Sequence, residues 1–401
     1  KLNGTTEVGN SYGLDKVAIN IKEDGILESK GSYRVYSTDT TDENAGEVRN
    51  PIISMNENTV LKNKGTLDAD DLRLWGGAVV NNEGLAKLRA LKHNSGEFNN
   101  DGQLTADTVV MQSPAVFNNT GSATVGVLET SGIINNTGTL EVSQLLVYDY
   151  AKLNITIGSE AGAPITVTGS SEFAFYMGSN SVLGLNFTEE YLENAMPVDG
   201  SNRFSFNEKV VSTSTGGFVL GTLVYELAGM DNRFWSLEDA TFSYDATAGY
   251  VQGTVVYNPW YDVAEDELTG SLADTSDSLK VGLVISEKDV VISGDNSYSG
   301  GTIIEGKKLT VAHERALGTG DVVLKSHGVL DLNHHAVTNA IYVEGCTLSG
   351  ADHYNGSLHV SGNLNLTGRT TAQAVCLAGG SISGASLETG ELVVQSGTEG
   401  N

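Results

Sequence analysis

The tetrad Asn-Asn-x-Gly occurs four times: Asn81-Asn82-Glu83-Gly84, Asn99-Asn100-Asp101-Gly102, Asn118-Asn119-Thr120-Gly121 and Asn135-Asn136-Thr137-Gly138. Its first residue advances by 18, 19 and 17, and Lys62-Asn63-Lys64-Gly65 is a weaker copy one step earlier. Short apolar runs follow each tetrad, such as Gly102-Gln-Leu104 and Asp107-Thr-Val-Val110. Helical repeats need about 33 residues and propeller blades about 40, so this period excludes both. It fits one turn of a β-solenoid, whose strands pair in parallel with those of the next turn about 4.8 Å away. A single turn has no interior, so stacking supplies the core.

A second periodic stretch reinforces the reading. Gly328, Gly345, Gly362 and Gly379 stand 17 residues apart, among triplets such as Ile341-Tyr-Val343 and Leu358-His-Val360. The composition agrees, with 48 Gly and only 5 Pro in 401 residues. Corners use residues that tolerate positive φ, whereas proline removes a ladder donor. The aligned first asparagines, Asn81, Asn99, Asn118 and Asn135, are expected to stack as a structural amide ladder at one corner. A ligand-binding amide row is the alternative reading.

The charge balance of 23 basic against 50 acidic residues gives −27. That sum excludes a simple basic footprint for nucleic acid or anionic lipid. Two cysteines make no disulfide framework. Cys346 and Cys376 are left open between a bond and two free thiols. No apolar run is long enough for a transmembrane helix.

The segment 187–260 breaks the period. Thr188 reads as the N-cap of a short helix stopped by Pro197, and longer alternating strands follow. Seventeen of the 28 aromatic residues lie between Phe173 and Tyr261. The plain reading is a β insertion with its own aromatic core. The sharper one is a glycan platform in which Trp235, Trp260 and Tyr261 present ring faces to sugars. The acidic stretch 261–285 is expected as a linker or long loop. Asp262, Glu265 and Asp266 are candidate loose cation ligands there, but no twelve-residue calcium loop is present.

One segment resembles a known family. Ser293-Gly-Asp-Asn-Ser-Tyr-Ser-Gly-Gly-Thr-Ile-Ile304 runs on to Gly306-Lys-Lys-Leu-Thr-Val311, Arg315-Ala-Leu-Gly-Thr-Gly-Asp-Val-Val-Leu324 and Gly328-Val-Leu-Asp-Leu-Asn333. This is similar to the passenger-associated repeat of bacterial autotransporters and departs from it at Lys308 and His313-Glu314. The resemblance covers residues 293–333 and is silent about activity. It implies a right-handed parallel β-helix, displayed at the cell surface or secreted, and associated with a Gram-negative outer membrane. Any anchoring segment is expected outside this chain.

Catalytic signals are weak. Six of the seven histidines lie between His313 and His359 without a metal-binding spacing, so no metal and no cofactor are expected. Asp68, Asp70, Asp71 and Asp107 are the carboxylates that a solenoid brings nearest one another. The expected architecture is all-β, a parallel β-helix with an aromatic-rich insertion. Its parts are an N-terminal cap over 1–50, solenoid over 51–186, the insertion, the linker, and solenoid over 286–401. The expected function is a non-catalytic passenger for adhesion or glycan binding, with a glycan or a host or neighbouring cell as partner. The alternatives are a polysaccharide lyase or glycoside hydrolase on the same scaffold, and a plain stalk.

Overall fold

The computed structural model describes residues 6–8, 20–21, 26–28, 32–35, 41–45, 47–55, 59–158, 164–197, 202–213, 217–245 and 247–395. The fold is a parallel β-solenoid, nearly all strand, with one short helix among the described residues. The chain divides into two compact units, 1–230 with 236–256, and 231–235 with 257–401.

In the first unit a four-residue strand alternates with a nine-residue strand. Val79–Asn82 leads to Leu85–His93, Glu97–Asn100 to Gln103–Met111, and Val116–Asn119 to Ser122–Thr130. Each strand pairs in parallel with its counterpart one coil on. The long strand turns a corner midway. In Gln103–Met111 the inward residues are Leu104 and Ala106, then Val109 and Met111. Alternation therefore slips at Asp107, and the pairing register skips that position. Strand alternation has a period of two, so a slip of one requires a bend. Each coil thus has three short sides.

Like residues stack inside these coils. Val80, Phe98, Phe117, Ile134 and Leu153 form one buried column, with the two phenylalanine rings 5.9 Å apart, edge to face. Burying each such side chain contributes roughly 1.5–3 kcal/mol.

The tetrads make the corner between short and long strand, where the asparagines form two rows. The second asparagine points inward and is buried. Asn44, Asn63, Asn82, Asn100, Asn119 and Asn136 are linked Nδ2 to Oδ1 at 2.6–2.7 Å, each donating to the next coil. The same Nδ2 also donates to a backbone carbonyl, as Asn82 does to Gln103 O at 2.9 Å. The first asparagine lies on the outer face, half-buried. Here the direction reverses: Asn99 donates to Asn81, Asn118 to Asn99, Asn135 to Asn118 and Asn154 to Asn135, at 2.6–2.8 Å. The tetrad glycine lets the corners nest, because a Cβ on Gly102 would run into the Gly84 carbonyl oxygen.

Strands pairing in parallel with these sheets extend back to Thr6–Val8, into the segment expected as a cap. At the other end of the unit the aromatic segment continues the long-strand sheet. Thr188 accepts the Tyr191 N–H at 3.3 Å and caps the helix Glu189–Ala195. Arg203–Thr213 pairs in parallel with Ile165–Val167 and then antiparallel with Ala248–Tyr257. Several of its aromatics are core: Phe187 packs against Phe206 at 5.1 Å and Phe204 at 6.1 Å, and Phe175 against Phe218 at 5.5 Å.

The second unit builds its coils from two short strands and a loop. Gly282–Ile285 and Val290–Ile292 precede Thr302–Glu305 and Lys308–Val311, then Val322–Lys325 and Val329–Asp331. The acidic stretch enters this stack, since Trp260–Asp262 pairs with Gly282–Val284. Asp274, in the loop between them, accepts the N–H groups of Val281 and Ser299 at 2.9 and 3.0 Å.

The residues that carry the autotransporter resemblance hold these loops together. Asn296 accepts the Leu272 N–H at 2.8 Å and donates to Ala316 O at 2.6 Å, joining the coils on either side. Tyr298 is fully buried, and its hydroxyl meets Thr302 Oγ1 at 2.6 Å. Gly318, at φ +60°, packs against the Tyr298 ring, where a side chain would be both strained and blocked. Each of these roles is structural.

Candidate functional site

The second unit carries the aromatic cluster at its first coil. Trp235 is only 3% exposed; its ring lies 4.5 Å from Tyr257, and its Nε1 donates to Thr275 Oγ1 at 3.2 Å. It is a core residue and offers no face to a ligand, so a three-ring platform reduces to Trp260 and Tyr261. Trp260 is 36% exposed and lies over Gly282, where a Cβ would meet its ring. Tyr261 packs edge-on to Phe234 at 6.1 Å, beneath the Arg233 guanidinium at 5.8 Å.

Charged groups gather at Tyr261. The Tyr261 hydroxyl lies 2.7 Å from both Glu265 oxygens, and Arg233 is paired with Asp231 at 2.5 Å. Burial and the adjoining Glu265 push the Tyr261 phenol up to about 12. Its hydrogen bond in turn holds the Glu265 carboxyl below the ordinary value. The exposed Trp260 ring suits CH–π contact with a sugar ring, and the groups fixed at Tyr261 can bond hydroxyls. The three candidate cation ligands are engaged separately. Asp262 binds the Ser286 hydroxyl at 2.5 Å, Glu265 binds Tyr261, and Asp266 pairs with Lys288 at 3.1 Å.

Sequence reasoning missed one feature of this unit. Val284, Ile303, Val323, Tyr342, His359 and Cys376 occupy one register position on successive coils. They form an outward-facing apolar column, with the Tyr342 and His359 rings stacked 4.5 Å apart. The sequence carries the signal: the first five are outward residues of four-residue strands, Cys376 lies near the end of a longer one, and the six are spaced by 17 to 20.

In the first unit the acidic group is interleaved with base. Arg89 falls between Asp70 and Asp107 in the stack and lies 3.5 Å from Asp70. Burial alone would raise the Asp71 carboxyl, but Arg73 and Lys92 outweigh it and hold it below the ordinary value. His334 pairs with Asp352 at 2.6 Å on adjacent loops. Among the described residues no cluster of His, Cys, Asp or Glu is placed to hold a metal ion. Cys346 and Cys376 are free thiols. Among the described residues, no helix is long and apolar enough to cross a membrane. No family model, curated protein or solved structure matches the chain.

Proposed function

We propose that this chain is a surface-displayed or secreted passenger of the autotransporter type. Its work is non-catalytic contact with glycans or with a neighbouring cell. The observation that carries the contact reading is the exposed Trp260 ring, with Arg233 and Glu265 fixed at the adjacent Tyr261. The outward column from Val284 to Cys376 lengthens the surface a partner would meet, and extended contacts gain from avidity. The passenger identity draws on Asn296, Tyr298 and Gly318, which sit at fixed positions of the resembled repeat and lock adjacent loops.

Glycan-array binding followed by reducing-sugar release on each hit tests the reading. Binding without release is expected. Trp260→Ala should weaken that binding about tenfold, as expected for losing a stacked aromatic ring, while the chain still melts cooperatively. Release of reducing ends would replace the binder with a glycoside hydrolase or lyase. A second reading, a plain stalk, draws on the burial of Trp235 and the packing of Trp260 on Gly282. An array without hits, or full affinity in Trp260→Ala, would favour it.

A further inference from the structure

Asparagine is among the chemically labile residues, and where this chain repeats it the fold holds it fast. In the inner row the side-chain nitrogens of Asn82, Asn100 and Asn119 are each held by two acceptors. The backbone N–H that follows each one is held as well. Glu83 donates to Asn63 O at 2.8 Å, Asp101 to Asn82 O at 2.9 Å and Thr120 to Asn100 O at 3.0 Å.

Asn355, in the second unit, is placed the opposite way. Among the described residues it is the one asparagine followed directly by glycine. It lies in the loop between Cys346–Ser349 and Ser357–Val360, and it is exposed. Among the described residues no group bonds its side-chain amide, and none bonds the Gly356 N–H. The bonds that hold this loop use other atoms. The Asn355 N–H donates to Val337 O, and the Gly356 carbonyl accepts from the Gln373 N–H, both at 2.9 Å. Glycine also puts no side chain beside the free N–H.

We propose that Asn355-Gly356 is a site of covalent self-modification, where the folded chain converts Asn355 to aspartate and isoaspartate. The Gly356 nitrogen, having lost its proton to solvent base, attacks Asn355 Cγ. The Cγ–Nδ2 bond breaks, ammonia leaves, and a five-membered succinimide closes. Water then opens the ring, and nothing is oxidised or reduced. Attack at Cγ gives aspartate on an unchanged main chain. Attack at the main-chain carbonyl carbon gives isoaspartate, whose main chain runs through Cβ and Cγ and is one carbon longer. No reacting atom gives up a hydrogen bond on the way.

The two products differ in consequence. Aspartate places a charge on an exposed side chain that bonds nothing. Isoaspartate must shift Gly356, which is packed so closely that a Cβ there would stand 2.4 Å from Asn339 O and 2.6 Å from the Tyr354 hydroxyl. That hydroxyl lies 2.9 Å from Asn339 O and ties the loop to the coil before it. Isoaspartate therefore loosens the loop 350–356, while the asparagine rows of the first unit stay intact.

Peptide mapping by mass spectrometry tests this on the whole folded chain, aged in mildly alkaline heavy-oxygen water. Asn355 should become acidic at least about tenfold faster than Asn82, Asn100 or Asn119, which must first break a hydrogen bond of the row. Both products should form, each with heavy oxygen, and the rate should rise with pH. Asn355→Gln closes only a six-membered ring, so it should abolish the conversion while melting like the parent chain. Hydrogen exchange in 350–356 should rise in the isoaspartate form and stay unchanged in Asn355→Asp. An Asn355 that survives in the folded chain while the urea-unfolded chain converts it would overturn the proposal. So would row asparagines that convert as fast. Aspartate without isoaspartate would mean direct hydrolysis by water and would remove the ring-closing step.

Discussion

The two units solve the same problem, how to turn a corner without stranding polar backbone, by different means. In the first, a buried asparagine is repeated on coil after coil, and each amide serves both its neighbour and a carbonyl. In the second, loops between short strands cover the corner, and single buried residues pin them: Asn296, Tyr298, and Tyr354, whose hydroxyl lies 2.9 Å from Asn339 O and 2.7 Å from Ser357 O, its one hydrogen serving either carbonyl. A continuous row demands strict register but needs almost no loop. Pinned loops tolerate varied lengths. Chemistry-bearing side chains therefore have room in the second unit, where the exposed Trp260 and the loop histidines stand.

Damage to a row should spread further than damage to a pin. Asn100→Asp deletes the donor to both Asn119 Oδ1 and Ser122 O and buries a carboxylate among acceptors. It should cost about 4 kcal/mol, read by urea unfolding. Hydrogen exchange should rise in the flanking coils Leu85–His93 and Ser122–Thr130 as well. A change below 1 kcal/mol, or exchange confined to one coil, would mean the row is not a shared element.

Acid should separate the units. His93 is fully buried between Leu74 and Met111. Burial lowers its pKa from 6.5 to about 4, the Gly96 backbone pulling partly the other way. The folded state therefore keeps this histidine neutral while the unfolded chain takes up a proton. Its contribution is present above pH 6.5 and is lost as pH falls toward 4, in total about 3 kcal/mol. Exchange protection in Leu85–His93 should fall over that window, and His93→Leu should remove this component. An identical acid profile in the variant would assign the loss to other groups.

The smallest effect is expected at a pin. Tyr298→Phe leaves the Thr302 hydroxyl without its 2.6 Å partner and should cost about 1–2 kcal/mol. Exchange should rise only in the loops joined to 293–301. A loss as large and as widespread as that of Asn100→Asp would erase the contrast between the units.

Much of the solenoid was legible because its period repeats identical residues. The inner row, however, also includes Asn44, whose Glu43-Asn44-Ala45-Gly46 carries one asparagine instead of two and escaped a search for pairs. Gln-Leu104 and Thr-Val-Val110 read as separate strands because the bend at Asp107 shifts alternation by one residue. The helix at Thr188 was readable from its cap and from Pro197, which are local signals. Trp235 and Trp260 look alike in sequence, and only the packing on Tyr257 buries the first. The end of the outer row is set by Gly184, thirty residues from Asn154 across a lengthened coil, so no fixed spacing reveals it.

The opposed directions of the two amide rows have a consequence for length. A single head-to-tail file of amides accumulates a dipole, as an α-helix does, with partial charge at its two ends. In this molecule one file points up the stack and the other, one residue away, points down. Over the coils the two files share, from Asn81 and Asn82 to Asn135 and Asn136, their dipoles oppose each other, so a coil that carries both asparagines adds little net dipole to the stack.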